Sequence, residues 1–157
     1  MRDQDMNKRG ITLMELIIVM AIIAVGAVLM VPNIAAWLPN YRLKSATRDI
    51  VSSMRVAQIK AVTSNVEYRV FFNDGDKSYV IQRQTTAGVN NYVDEGGTQP
   101  LPSGITFADD SGWFVSNKYV TFNPNSTAVS GNVVLTNPKG AKKKIVVLST
   151  TGRIRIE

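Results

Sequence analysis

Apolar residues run almost without interruption from Ile11 to Val31 and then become periodic, and this change divides the chain. No charged residue occurs between Leu16 and Tyr41. A helix over the 21 residues from Ile11 to Val31 would span about 31 Å, matching a bilayer's hydrocarbon thickness of roughly 30 Å. The segment is therefore expected to cross a membrane. Its twelve Ile, Leu and Val side chains each contribute about −0.3 to −0.6 kcal/mol at the membrane centre, outweighing the roughly 2.5–3.5 kcal/mol cost of its one carboxylate, Glu15. Arg2, Lys8 and Arg9 precede the run, so the positive-inside tendency leaves the N-terminus in the cytoplasm and places the rest outside it. A cleavable secretory signal has a shorter apolar core and an A-x-A-like site, and none follows Val31.

Beyond Pro39, the residues Leu43, Ala46, Ile50, Met54, Ala57 and Ala61 recur at steps of three or four. Arg42, Ser45, Arg48, Asp49, Ser52 and Arg55 fall mostly on the other side. The spacing predicts an amphipathic helix over 32–64 whose apolar stripe is core, continuing the first segment into one helix of roughly 81 Å if straight. Pro32 leaves the carbonyl of Val28 without its helical donor and Gly26 lies nearby, so this stretch is expected to loosen more readily than its neighbours. The alternative for Pro32 and Pro39 is simply the end of a membrane helix.

After Thr63-Ser64-Asn65 the period changes to two. Val66, Tyr68, Val70 and Phe72 alternate with Glu67 and Arg69, and Tyr79-Val80-Ile81 follows Asn73-Asp74-Gly75-Asp76. This pattern predicts a β-hairpin. The Asn-Asp-Gly-Asp cluster lacks the spaced ligands and closing glutamate of a calcium loop and is read as a turn, so no metal is assigned. From Thr85 to Ser103 the composition predicts a long surface loop or weak hairpin. Further strands are expected at 105–107, 113–115, 119–122, 132–135, 144–148 and 153–156. The fold class is α+β: a long N-terminal helix, its first half transmembrane, packed on an antiparallel β-sheet domain over 65–157.

The chain's 157 residues carry a net charge of +6 and include neither Cys nor His. Serine triads, cysteine nucleophiles and metal sites needing His or Cys ligands are thereby excluded. Asp109 and Asp110 are adjacent, so in an extended chain they face opposite ways and form no shared-proton pair. Trp113 is read as a core or rim aromatic. The reading is of a non-enzyme that needs no cofactor.

The run Lys8-Arg9-Gly10-Ile11-Thr12-Leu13-Met14-Glu15-Leu16-Ile17 resembles the class III signal of type IV pilins and type II secretion pseudopilins. That resemblance implies a leader over 1–10, cleavage by prepilin peptidase between Gly10 and Ile11, and methylation of the new amino terminus. It also implies that Glu15, the fifth mature residue, faces a neighbouring subunit's terminal amine. Ile11 departs from the family pattern, where Phe or Met is usual. The closing stretch, Lys144 to Ile156, and Tyr119-Val120-Thr121-Phe122-Asn123-Pro124 resemble the GspH/FimT group of minor pseudopilins and minor pilins, although Asn125-Ser126 replaces the usual Gly. The group implies a type IV pilin-like fold and a non-abundant subunit that forms or caps a filament tip. It further implies other pilins and an inner-membrane assembly platform as partners, with a single-pass anchor and the C-terminal domain in the periplasm or outside.

Gly152-Arg153-Ile154-Arg155 resembles the G-R-x-R motif of DNA-binding members active in natural transformation. In a strand Arg153 and Arg155 share one face about 7 Å apart while Ile154 and Ile156 turn to the core. Lys142, Lys143 and Lys144, just before the partner strand, would add positive potential, with Lys139 nearby. The competing reading is an edge strand protected by charge. A third possibility is an unprocessed single-pass protein with a sensor-like β-rich domain.

Overall fold

The computed structural model describes residues 11–108 and 118–157, without the side chains at 29, 31–33 and 35. The leader with Gly10, the expected strand at 113–115, Asp109 and Asp110 lie outside the described residues. The chain divides into two compact units, one reaching Trp37 and the other running from Leu38 to Glu157.

Helix α1 runs from Leu13 to Ser64. Thr12 starts it, because its carbonyl accepts from the Leu16 N–H at 3.2 Å and its hydroxyl accepts from the Glu15 N–H at 3.3 Å. This is the N-cap arrangement, and it places Glu15 in the first turn where a negative charge suits the helix dipole. Ile17, Ile18, Val19 and Met20 point to all sides of the helix, yet each is between 47% and 64% exposed. A helix that is apolar all round has no face to give to water. Among the described residues no helix is long and apolar enough to cross a membrane, so the structure does not itself supply the span expected over 11–31.

In the second unit the expected stripe of α1 is the core face, with Leu43, Ala46, Ile50, Met54, Ala57 and Ala61 all at most 3% exposed. Thr47 and Val51 join it, and the buried Thr47 hydroxyl is satisfied by donating to the Leu43 carbonyl at 2.7 Å. Asn65, at φ 53°, ends the helix in the left-handed conformation, and Val66 follows it packed against the core.

Nine strands follow among the described residues: β1 (Tyr68–Asn73), β2 (Ser78–Gln84), β3 (Tyr92–Asp94), β4 (Gln99–Pro100), β5 (Thr106–Phe107), β6 (Tyr119–Phe122), β7 (Gly131–Thr136), β8 (Lys142–Val147) and β9 (Ile154–Ile156). They form two antiparallel sheets rather than one. The first has the order β3-β2-β1-β6, with β4 also pairing with β2; the second has the order β5-β7-β8-β9. In the hairpin β1–β2, Phe72 lies opposite Tyr79 and Asn73 opposite Ser78, and the Asn73 side chain accepts from the Asp76 N–H at 3.3 Å to set the turn. The stretch read as a loop or weak hairpin places β3 and β4 along the same edge of β2. One apolar cluster joins the stripe of α1 to Val70, Phe72, Val120 and Phe122 of the first sheet and Val133, Leu135, Ile145 and Val147 of the second.

A polar network and a close backbone approach fix this packing. Glu95, just after β3, accepts from the Lys60 ammonium of α1 at 2.5 Å and the Tyr68 hydroxyl at 2.8 Å, and pairs with Arg83 at 3.5 Å. The Lys60 hydrogen bond is the main reason its carboxyl is held below the usual range. Because the folded value is lowered, the stabilisation is present above the unfolded value of 4.5 and fades as pH falls through the folded one. Gly152 sits at φ +58°, where a Cβ would lie 2.5 Å from both the Gln58 Nε2 of α1 and the backbone oxygen of Ser126. The end of the Gln58 side chain could move, whereas the Ser126 carbonyl is backbone and yields far less.

Gly152→Ala is expected to destabilise the fold by at least about 2 kcal/mol, since left-handed strain and a backbone clash add. Gly97→Ala, with open space around its Cβ position, should stay within about 0.5 kcal/mol. Denaturant melts compare the two. Glu95→Gln should flatten the loss of thermal stability on acidification below the ordinary carboxylate range; slopes equal to those of the unaltered chain would show that the contact contributes nothing.

Candidate functional site

Of the residues expected to govern assembly, Ile11 and Glu15 are exposed, and the Glu15 carboxylate has no ion pair among the described residues. Gly26 has nothing within 4 Å of its Cβ position, and the helix continues through positions 26 and 32. The local role of Glu15 at the helix start was not read from the sequence, although Thr12-Leu13-Met14-Glu15 has the spacing of a capping box. An acid in this place therefore serves its own helix as well as any neighbour.

The basic hairpin differs from its expected form in three ways. First, Lys142, Lys143 and Lys144 do not precede the strand but form its first half, because β8 starts opposite Thr136 and pairs Lys143 with Leu135. Second, strand alternation divides the five expected cations. Ile145 and Val147 are core residues, so Lys142, Lys144 and Val146 point away from the core; Arg155 lies opposite Val146, and Arg153 is joined to Leu148 by a 3.0 Å backbone bond. Lys143 turns the other way and lines a hollow with Lys44 and Arg48 of α1. Third, Ile154 packs against the core as expected, but Ile156 is 41% exposed although it lies opposite the buried Ile145, β9 being the edge strand of its sheet.

The two arginines also differ in their surroundings. The Arg155 guanidinium is ion-paired with Glu157, whose carboxyl it holds below the usual range. Arg153 is exposed, and among the described residues it has no ion pair. Gly152 is buried and shaped by its contacts with Gln58 and Ser126, which explains the glycine of the motif without reference to a ligand.

On the first sheet Arg69 stacks on Tyr92 at 3.8 Å and on Tyr119 at 4.7 Å, while its Nε donates to Gln82 at 2.6 Å. The Tyr92 hydroxyl donates to Glu67 at 2.6 Å and is pushed up to about 12, by burial first and by that hydrogen bond second. This ladder was not read from the sequence, because strand order brings β1, β3 and β6 together. Among the described residues no group of acidic side chains could hold a metal ion.

Comparison with known proteins places these features. Residues 46–152 match the family Type II transport protein GspH, and residues 5–31 match the prokaryotic N-terminal methylation motif. No curated protein matches the sequence. The fold is similar to the minor pseudopilin EpsH of the Vibrio cholerae type II secretion system, with a TM-score of 0.60 at 8% identity over 74% of this chain and 96% of that one. It is also similar to the Escherichia coli GspH solution structure (TM-score 0.58, 13% identity, 75% and 89% covered) and to the Pseudomonas aeruginosa type IV minor pilin FimU (TM-score 0.54, 17% identity, 75% and 90% covered). The methylation motif marks a prepilin peptidase substrate that assembles with other pilins, in a family of membrane-anchored structural subunits rather than enzymes. With a capped apolar helix, a helix-on-sheet core and both matches covering most of its length, the chain belongs to the GspH family of minor pseudopilins and pilins.

Proposed function

We propose that the chain is inserted in the inner membrane through residues 11–31, cut between Gly10 and Ile11, methylated at Ile11, and drawn through an assembly platform into a filament, where it takes a tip position. Its work is assembly, not catalysis. The observation that carries this reading is the all-round exposure of aliphatic side chains from Ile11 to Val28 around one carboxylate. Such a surface must be covered by lipid or by like helices. Moving Glu15 into a filament core together with a neighbour's ammonium is far less costly than moving it alone. Loosening at Gly26 and Pro32 would let the helix adapt as it leaves the membrane. Tip placement is supported by the minor-subunit character of the family.

No observation favours DNA over this reading. Packing accounts for Gly152, and Glu157 occupies Arg155. The duplex-binding proposal rests on Arg153 with Lys142 and Lys144, fewer cations than the five first grouped together, and non-specific duplex binding grows with the number of phosphates neutralised.

Mass spectrometry of the chain extracted from a host with active prepilin peptidase should show a methylated terminus at Ile11; an intact Met1 terminus there would overturn the assignment in favour of an unprocessed membrane protein. Glu15→Val should leave membrane insertion unchanged but strongly reduce recovery in sheared filaments. For DNA, Arg153→Ala with Arg155→Ala should leave retention on immobilised duplex unchanged at physiological salt, and a marked loss would restore the uptake reading.

A further inference from the structure

A second basic cluster surrounds the end of the second unit at which the chain enters it. Lys44 and Arg48, four positions apart on α1, and Lys143 on β8 line a hollow of about 210 Å³ together with Thr47 and Ile156. None of the three cations has an ion pair among the described residues. Arg42 lies at the same end, donating to the Ser103 carbonyl at 3.1 Å. So does the turn between β7 and β8, carrying Lys139 and leading to Lys142; the buried Asn137 ties it to Asn40 at 2.8 Å. Of the acids next to these residues in sequence, Asp49 accepts from the Ser45 hydroxyl and Glu157 holds Arg155.

Two aromatic residues precede the cluster along the chain. Trp37 is 59% exposed and Tyr41 52%, and rings of this kind settle at the headgroup level of bilayers. Lys44 follows Leu38 by six residues, about 9 Å along a helix. The order along the chain is therefore aliphatic helix, aromatic pair, cations, which matches the order of layers met on leaving a membrane.

We propose that the hollow lined by Lys44, Arg48 and Lys143 binds the phosphate groups of anionic phospholipid on the outer surface of that membrane, holding the subunit against the bilayer until it enters a filament. Arg48 and the two lysines supply charge and donors, and the exposed Ile156 an apolar rim for the lipid's glycerol and upper chain. The proposal rests on the anchored reading above.

The absence of cysteine makes the test clean: Ala141→Cys, exposed beside the cluster, gives a single site for a fluorophore, and Thr150→Cys gives another at the far end of the hairpin. The full chain is reconstituted in phosphatidylcholine vesicles, with or without roughly 30% phosphatidylglycerol, containing nitroxide-headgroup lipid. Quenching at position 141 should be at least about twofold stronger in the anionic vesicles and fall to the neutral level in about 0.5 M salt. It should also be lost in Lys44→Gln, Arg48→Gln, Lys143→Gln but kept in Lys44→Arg, Lys143→Arg, with circular-dichroism melts confirming that both fold. Position 150 should not respond. Equal quenching in both vesicle types, or an equal response at position 150, overturns the lipid contact. So does shielding of position 141 by duplex DNA or an added subunit with no dependence on lipid charge, which would assign the cluster to that partner. Flotation separates the two readings. A chain that floats with both vesicles but shows no charge dependence refutes the lipid site alone, while a chain that floats with neither refutes the anchor and the site together.

Discussion

The second unit depends on one strip of side chains. Leu43, Ala46, Ile50, Met54, Ala57 and Ala61 on α1 are the shared floor of two sheets whose strands form no common ladder. Among the described residues the backbone connections between the sheets are narrow, an isolated bridge between Phe122 and Ala128 and the bonds of residues 128 and 129 to 149 and 121, while the Phe72 and Phe107 rings meet edge to face at 5.7 Å. Alanine at three of the six stripe positions lets backbone come close, and large side chains from Phe72, Phe122, Leu135 and Ile145 fill the remaining space. Were the stripe interrupted by one polar side chain without a partner, both sheets would lose their common support.

Much of this was legible because periodicity is a local property. The three-and-four spacing of the stripe, the alternation over Tyr68–Phe72 and the Asn-Asp-Gly-Asp turn each depend on neighbours in sequence, and each appears where it was expected. What was not legible depended on distant partners. The division into two sheets, the seating of β3 and β4 on one edge and the stacking of Arg69 between Tyr92 and Tyr119 require strand order, which no short window contains. The Thr12-to-Glu15 cap is a local signal too, carried by a Thr and a Glu three positions apart at the head of the apolar run.

The basic residues show how alternation governs what a charge can do. Three consecutive lysines look like one patch in sequence, but β8 is a strand, so the middle one is delivered to the helix side and joins Lys44 and Arg48. The grouping that emerges, cations of α1 with one from β8, joins residues almost a hundred positions apart.

Gly152 has a consequence for how short signatures are interpreted across such hairpins. Because its missing side chain is required by Gln58 and the Ser126 carbonyl, any relative that folds its last turn onto the helix in the same way would be driven to retain glycine whatever its arginines touch. Half of the signature then reports architecture, and only the charged half is left to distinguish a nucleic-acid receptor from a scaffold component.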